Sequence, residues 1–290
     1  MLCSMKELLD AAERQDRAVG AFSVYSMETV KGAVAAAEQM GTPIILQIAE
    51  SRFPYAPLEL MAPMMLGAAR TAQVPVAVHL DHGVHMETIK QALDYGFTSV
   101  MLDASAYPLE DNIRMTKEVL KLARAYHAAV EAEIGCVGGN EGLGDMADRY
   151  TKPEEAERFA RETGVDALAV AIGNAHGNYR RPPSLQFSIL KEIHDRVPIP
   201  LVLHGGSGIS FGDFRKTIAG GIRKVNIATA GLEALASAAK EVLSDDGNAS
   251  YFTMSQRMCE KVCACAKTHI YVFNCQGSLA QIEEGTSCLG

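Results

Sequence analysis

Short apolar, β-branched runs alternate with longer polar–apolar segments along nearly the whole chain. The runs Val19–Val24, Pro43–Gln47, Val76–Leu80, Ser99–Asp103, Ala129–Ile134, Ala167–Ile172, Pro200–His204 and Lys224–Ile227 are of strand length. Their continuous apolar character predicts strands buried on both faces. Between them, Met27–Met40, Leu58–Ala72, Met86–Tyr95, Asn112–Tyr126 and Pro153–Thr163 carry apolar residues at i, i+3, i+4 and i+7, the period of an amphipathic helix. Strands alternating with helices pair in parallel. A closed (β/α)₈ (TIM) barrel and an open doubly wound sheet both satisfy that alternation, and the count of eight favours the barrel. From about Ala230 onward the sequence predicts further helices packed outside it. No linker, repeat or low-complexity stretch divides the chain, so residues 1–290 are expected to form one α/β barrel domain.

Composition narrows the partners. With 48% apolar and 21% charged residues the chain can bury a sizeable core. A net charge of −8 disfavours nucleic acid as a ligand but leaves room for a small phosphorylated one, which backbone amides and one or two cations can hold. The longest apolar runs, Pro43–Ala49 and Val74–Leu80, fall far short of a membrane span, and no secretory signal is visible, so a cytoplasmic protein is expected. Seven scattered cysteines suit reduced thiols; Cys259, Cys263 and Cys265 lie in a helical stretch without the paired spacing of a zinc site.

Polar, reactive residues recur at the ends of successive strands, where a barrel assembles its active site. Three of the eight histidines, His82, His176 and His204, each close a different strand beside glycine or an acid. On a barrel rim their imidazoles can share one cation and leave an open position, the arrangement of a catalytic metal site. His79 reads as inner-barrel packing, and His85, His127, His194 and His269 as surface or helix residues. Asp81 precedes His82 and stands where a proton donor or acceptor is needed. Asp103 and Glu133 either offer oxygens to a second cation or orient the histidines. Glu141, in a glycine-rich loop, is either a base on a closing segment or a solvated acid. The turn Gly205-Gly206-Ser207-Gly208 and the strand end Asn226-Ile227-Ala228-Thr229 each precede a helix, as phosphate-binding loops do in this architecture.

Six ordered strings, Val78–Gly83, Ser99–Ser105, Val130–Gly135, Ala169–Gly177, Leu203–Gly208 and Lys224–Thr229, resemble those of class II (metal-dependent) ketose-bisphosphate aldolases. The resemblance runs from about residue 5 to at least residue 235. It implies a lyase that reversibly cleaves a ketose 1,6-bisphosphate to dihydroxyacetone phosphate and an aldehyde through a zinc-stabilised enediolate. His82, His176 and His204 match the family's zinc ligands, and Asp103 and Glu133 match positions where some members bind a second metal ion. Asp81 matches the acid that exchanges a proton at the cleaved bond, and Glu141 the base acting beside the ketone. Gly177, Gly205, Ser207, Asn226 and Thr229 match positions that hold the dihydroxyacetone phosphate moiety, often with a monovalent cation; Gly206 and Ala228 stand in the same loops. The resemblance further implies a homodimer or homotetramer and no Schiff-base lysine.

Departures from the family concentrate on the aldehyde half. Phe22-Ser23-Val24-Tyr25-Ser26 replaces a common Phe-Asn-x-Asn-Asn, Ala230 replaces an acid, and Gly142-Leu143-Gly144 replaces an acidic run after Glu141. Ala228 is the residue of tagatose-bisphosphate members, where fructose-bisphosphate members often carry Asp or Asn. A tagatose-bisphosphate-like substrate is therefore expected ahead of a fructose-bisphosphate-like one. A phosphorylated keto-sugar acid is the alternative substrate; Arg180 and Arg181 either form a second-phosphate site, which would favour a bisphosphate, or face solvent. A non-catalytic sugar-phosphate-binding relative and another metal-dependent barrel enzyme, such as a hydrolase, are the alternative classes.

Overall fold

Eight β/α units close on themselves. The structure, a computed structural model, describes residues 1–138, 150–177, 183–244 and 250–275. The strands are β1 (Val19–Ser23), β2 (Ile44–Ala49), β3 (Val76–Gly83), β4 (Ser99–Leu102), β5 (Ala129–Ile134), β6 (Ala167–Val170), β7 (Leu201–Leu203) and β8 (Ile222–Ile227). They pair in parallel in chain order, and β8 returns to β1 with Val19 opposite Lys224 and Ala21 opposite Asn226. The helices are α1 (Met5–Arg14), α2 (Met27–Met40), α3 (Leu58–Thr71), α4 (Met86–Tyr95), α5 (Leu109–Arg124), α6 (Pro153–Thr163), α7 (Phe187–Arg196), α8 (Phe211–Ala219), α9 (Thr229–Leu243) and α10 (Tyr251–Phe273). The tail is helical as expected, with α10 lying along α2 and α9. Among the described residues no helix is long and apolar enough to cross a membrane.

Side-chain alternation divides each strand between two environments. Outward residues such as Ile44, Leu46, Val78, Leu80, Val100 and Val130 join the core beneath the helices. Inward, the lower half of the barrel holds small residues, Ala21, Ala77, Ala129, Ala167 and Ala169, with Val19, Ile45 and Val202. The apolar face of α1 (Met5, Leu8, Leu9, Ala12) packs on that layer and plugs the N-terminal end. Above it the barrel interior turns polar: Gln47, His79, Glu131, Lys224 and His204 are fully buried.

The expected strands all occur, with shifted edges. β3 extends past Leu80 to Gly83, β8 begins at Ile222, and β7 is only Leu201–Leu203, with His204 just beyond it. Helices α1 and α7 were not among the expected segments, although Met5, Leu8, Leu9 and Ala12 have helical spacing. His269 is a helix residue, as expected, and on α10 it is buried against Phe211, Phe214 and Phe273. Cys259, Cys263 and Cys265 are free thiols on α10.

Candidate active site

Regular pleating would send Asp81 and His82 to opposite faces of β3. Instead, Leu80 pairs with Val100 and Gly83 with Leu102, so β3 carries one residue more than β4 across this stretch. This bulge, together with a left-handed His82 (φ 43°), re-aims the imidazole into the barrel mouth beside Asp81. A positive φ in a non-glycine residue costs of order 1–3 kcal/mol, which the surrounding structure has to offset.

His82, His176 and His204 meet there. His82 Nε2 is 2.9 Å from His204 Nδ1 and 3.1 Å from His176 Nε2. The opposite nitrogens are committed to carboxylates: His82 Nδ1 to Asp103 Oδ2 at 2.9 Å, and His204 Nε2 to Glu131 Oε1 at 2.8 Å. Those two nitrogens carry the donated hydrogens, so His82 Nε2 and His204 Nδ1 present lone pairs to each other. Lone pairs this close repel unless a cation lies among them, and a divalent ion fits the donor set.

Electrostatics agree. Burial opposes charge on His82, but Asp81, Asp103 and Glu133 outweigh it and raise its pKa to about 10. Burial, then the charge of His82, pushes His176 and His204 well below their ordinary range. The centre is thus built to hold positive charge, as a proton or as a metal ion. Burial also opposes charge on Asp103, but His82 and the Ser105 hydroxyl and amide hold its carboxyl well below the usual range. Burial, then Asp103, raises Glu133 to about 8. Glu133 Oε2 lies 3.6 Å from His204 Nδ1, so its oxygen is within reach of the same centre; His82, Asp103 and Glu133 form a second group with metal-ligand spacing.

Asp81 is held at both oxygens. Gln47 Nε2 donates to Oδ2 at 3.0 Å and Asn226 Nδ2 donates to Oδ1 at 3.1 Å. Gln47 also donates to the Ser23 hydroxyl at 3.1 Å, so the substituted first-strand position reaches Asp81 through one side chain. Beside this cluster, Gly177, Gly205, Gly206, Ser207, Asn226, Ala228 and Thr229 line one recess with His176. Two glycines make it possible. A Cβ on Gly205 (φ +62°) would collide with the Ala175 carbonyl, and one on Gly206 would lie 2.7 Å from the Asn226 carbonyl. The N-terminus of α9 opens onto the recess with no capping side chain at Ala228, and Ser207 Oγ accepts from Ala230 N at 3.1 Å. Such a helix end suits an anion.

Other expected residues lie elsewhere. Glu141, Arg180 and Arg181 fall outside the described residues. His85 is exposed and bonds Glu50 at 2.6 Å, while His79 is enclosed and bonds Ser99 at 2.9 Å. Sequence reading gave no role to Gln47, Glu131 or Lys224; the available signal was a polar residue at an inward position of an otherwise apolar strand. Lys224 is unsuited to imine formation, because it is fully buried with its amine 2.8 Å from both Glu131 Oε2 and Asn226 Oδ1.

The chain is similar to known proteins in sequence and fold. Residues 3–278 match the family described as "Fructose-bisphosphate aldolase class-II". Over 254 residues the chain is 41% identical to a fructose-bisphosphate aldolase of Geobacillus stearothermophilus, covering 85% of this chain and 88% of that one. It is 38% identical over 280 residues to a 6-phospho-5-dehydro-2-deoxy-D-gluconate aldolase of Halalkalibacterium halodurans, covering 95% and 97%. The crystal structure of the YdjI aldolase from Escherichia coli K12 superposes with a TM-score of 0.85 at 36% identity, covering 94% of this chain and 97% of that one. The chain belongs to the class II fructose-bisphosphate aldolase family and is an aldolase, a carbon–carbon lyase.

Proposed function

We propose that this aldolase is metal-dependent and cleaves a phosphorylated ketose, releasing dihydroxyacetone phosphate and an aldehyde. The carrying observation is the convergence of three imidazole nitrogens beside Asp81 and next to an anion-suited recess. Held by His82, His176 and His204, a zinc ion would supply Lewis-acid polarisation of the substrate's ketone oxygen. Ser207, Thr229 and the first turn of α9 anchor the phosphate, which fixes the reacting carbons relative to the acid. Asp81, oriented by Gln47 and Asn226, takes the hydroxyl proton as the carbon–carbon bond breaks and returns it to the aldehyde oxygen in condensation. Glu141 is the proposed base beside the ketone. Asp103 positions His82, while Glu133 is proposed as an additional oxygen ligand for a second divalent or a monovalent cation.

For the substrate, a tagatose- or fructose-1,6-bisphosphate-like ketose comes first. A phosphorylated keto-sugar acid is the second reading, supported by Ser23 in place of asparagine and by the 38% identity to the gluconate-derivative aldolase. Both substrate types carry a phosphate on the carbon beside a ketone, so one recess serves either. A cytoplasmic homodimer or homotetramer is proposed, with Leu243, Tyr251 and Phe252 as exposed apolar residues available to a second copy.

The test is metal analysis combined with cleavage assays on fructose, tagatose and keto-acid phosphates. Zinc near one equivalent per chain and loss of activity on chelation are expected; turnover that survives chelation overturns the metal dependence.

A further inference from the structure

Lys224 has no exposed surface and belongs neither to the histidine cluster nor to the recess. Its ammonium lies 2.8 Å from Glu131 Oε2 and 2.8 Å from Asn226 Oδ1. A carboxamide has one accepting and one donating end. With Oδ1 taken by an ammonium, Asn226 must turn Nδ2 toward Asp81, and it does so at 3.1 Å from Oδ1. A flip of the amide would set oxygen against the carboxylate. The other oxygen of Asp81 has its donor in Gln47, so Asn226 supplies the second half of the clamp, and its amide is the half anchored by Lys224.

We propose that Lys224 is a positioning residue that, by fixing the orientation of the Asn226 amide, holds Asp81 in the geometry for proton exchange at the cleaved bond. Glu131 makes a cation tolerable at this depth, and its Oε1 accepts from His204, so one ion pair links the proton-exchanging acid to a metal-binding imidazole. Filling the space does not require this pair, since apolar residues of similar volume commonly replace buried ion pairs without loss of stability.

This inference rests on the proposed reaction, and its two halves separate the claims. Proton exchange at the carbon beside the ketone of dihydroxyacetone phosphate alone requires the metal and the base but not Asp81. Carbon–carbon bond making and breaking requires Asp81 as well. The variants are Lys224→Met and, in case an uncompensated Glu131 prevents folding, the doubly neutral Glu131→Gln/Lys224→Met. In the folded variant, bond cleavage should fall roughly 10- to 100-fold in kcat, part of what a well-placed proton donor supplies. Exchange, KM and zinc content should stay within about threefold of wild type for Lys224→Met and, because Glu131 itself holds His204, within about threefold of Glu131→Gln alone for the double variant. An equal fall in exchange and cleavage, or no fall in either, overturns the positioning role. So does a crystal structure of the variant in which Asn226 and Asp81 keep their bond. Failure of wild-type enzyme to exchange the proton refutes the proposed reaction itself.

Discussion

His82 Nε2 and His204 Nδ1 face each other at 2.9 Å while their far nitrogens are committed to Asp103 and Glu131. Either a proton or a metal ion relieves the contact, and the two compete. His82, raised to about 10, holds a proton throughout the neutral range in the metal-free protein. Metal binding must displace it, so affinity weakens as pH falls. Calorimetric zinc titrations at pH 6 and pH 8 should show tighter binding at pH 8, with proton release on binding.

Asp81→Ala removes the acceptor for both Gln47 and Asn226 but no metal ligand. Turnover should drop by about 10²–10⁴, the usual contribution of a positioned acid or base, with zinc content unchanged. Steady-state kinetics with metal analysis on one preparation would reveal a structural collapse as loss of both.

Gly205, just past β7, abuts the segment after β6 that carries His176. Gly205→Ala meets a left-handed backbone and the Ala175 carbonyl together. A cost of about 1–3 kcal/mol is expected from the conformation alone. Displacement of the Ala175-His176 segment should also weaken zinc binding and raise KM for the phosphorylated substrate. Denaturant melts and zinc titrations would detect both.

His269 gives a pH effect remote from the mouth. Burial lowers its pKa, with its Nδ1 donating to the Cys265 carbonyl at 2.8 Å. The unfolded chain therefore takes up a proton below about pH 6.5 that the folded chain refuses. Its contribution to stability is complete above that pH and declines as pH falls through it. With zinc saturating, His269→Phe should flatten this acid-side decline, read as the slope of unfolding free energy against pH.

The barrel was legible because strands covered on both faces leave continuous apolar runs, and most of the helices around it begin or end near a glycine, proline or cap. The histidine trio was legible because three strand ends each carried one imidazole. Less visible were features created by closure. The bulge that turns His82 inward depends on β4, and nothing local to Asp81-His82-Gly83 announces it. Lys224 and Glu131 lie far apart in sequence, and only the closed barrel makes them a pair. α1 went unnoticed because its four apolar positions precede the first strand and gain meaning only as a plug for the barrel floor.

The extra residue in β3 has a mechanical consequence. Asp81, the proposed proton carrier, and His82, a proposed metal ligand, are separated by a single peptide unit, so breathing of the barrel moves them as one body. Spacing between charge and acid is then set by covalent geometry rather than by the alignment of two strands, and deleting one residue here would evict one of the two from the chamber.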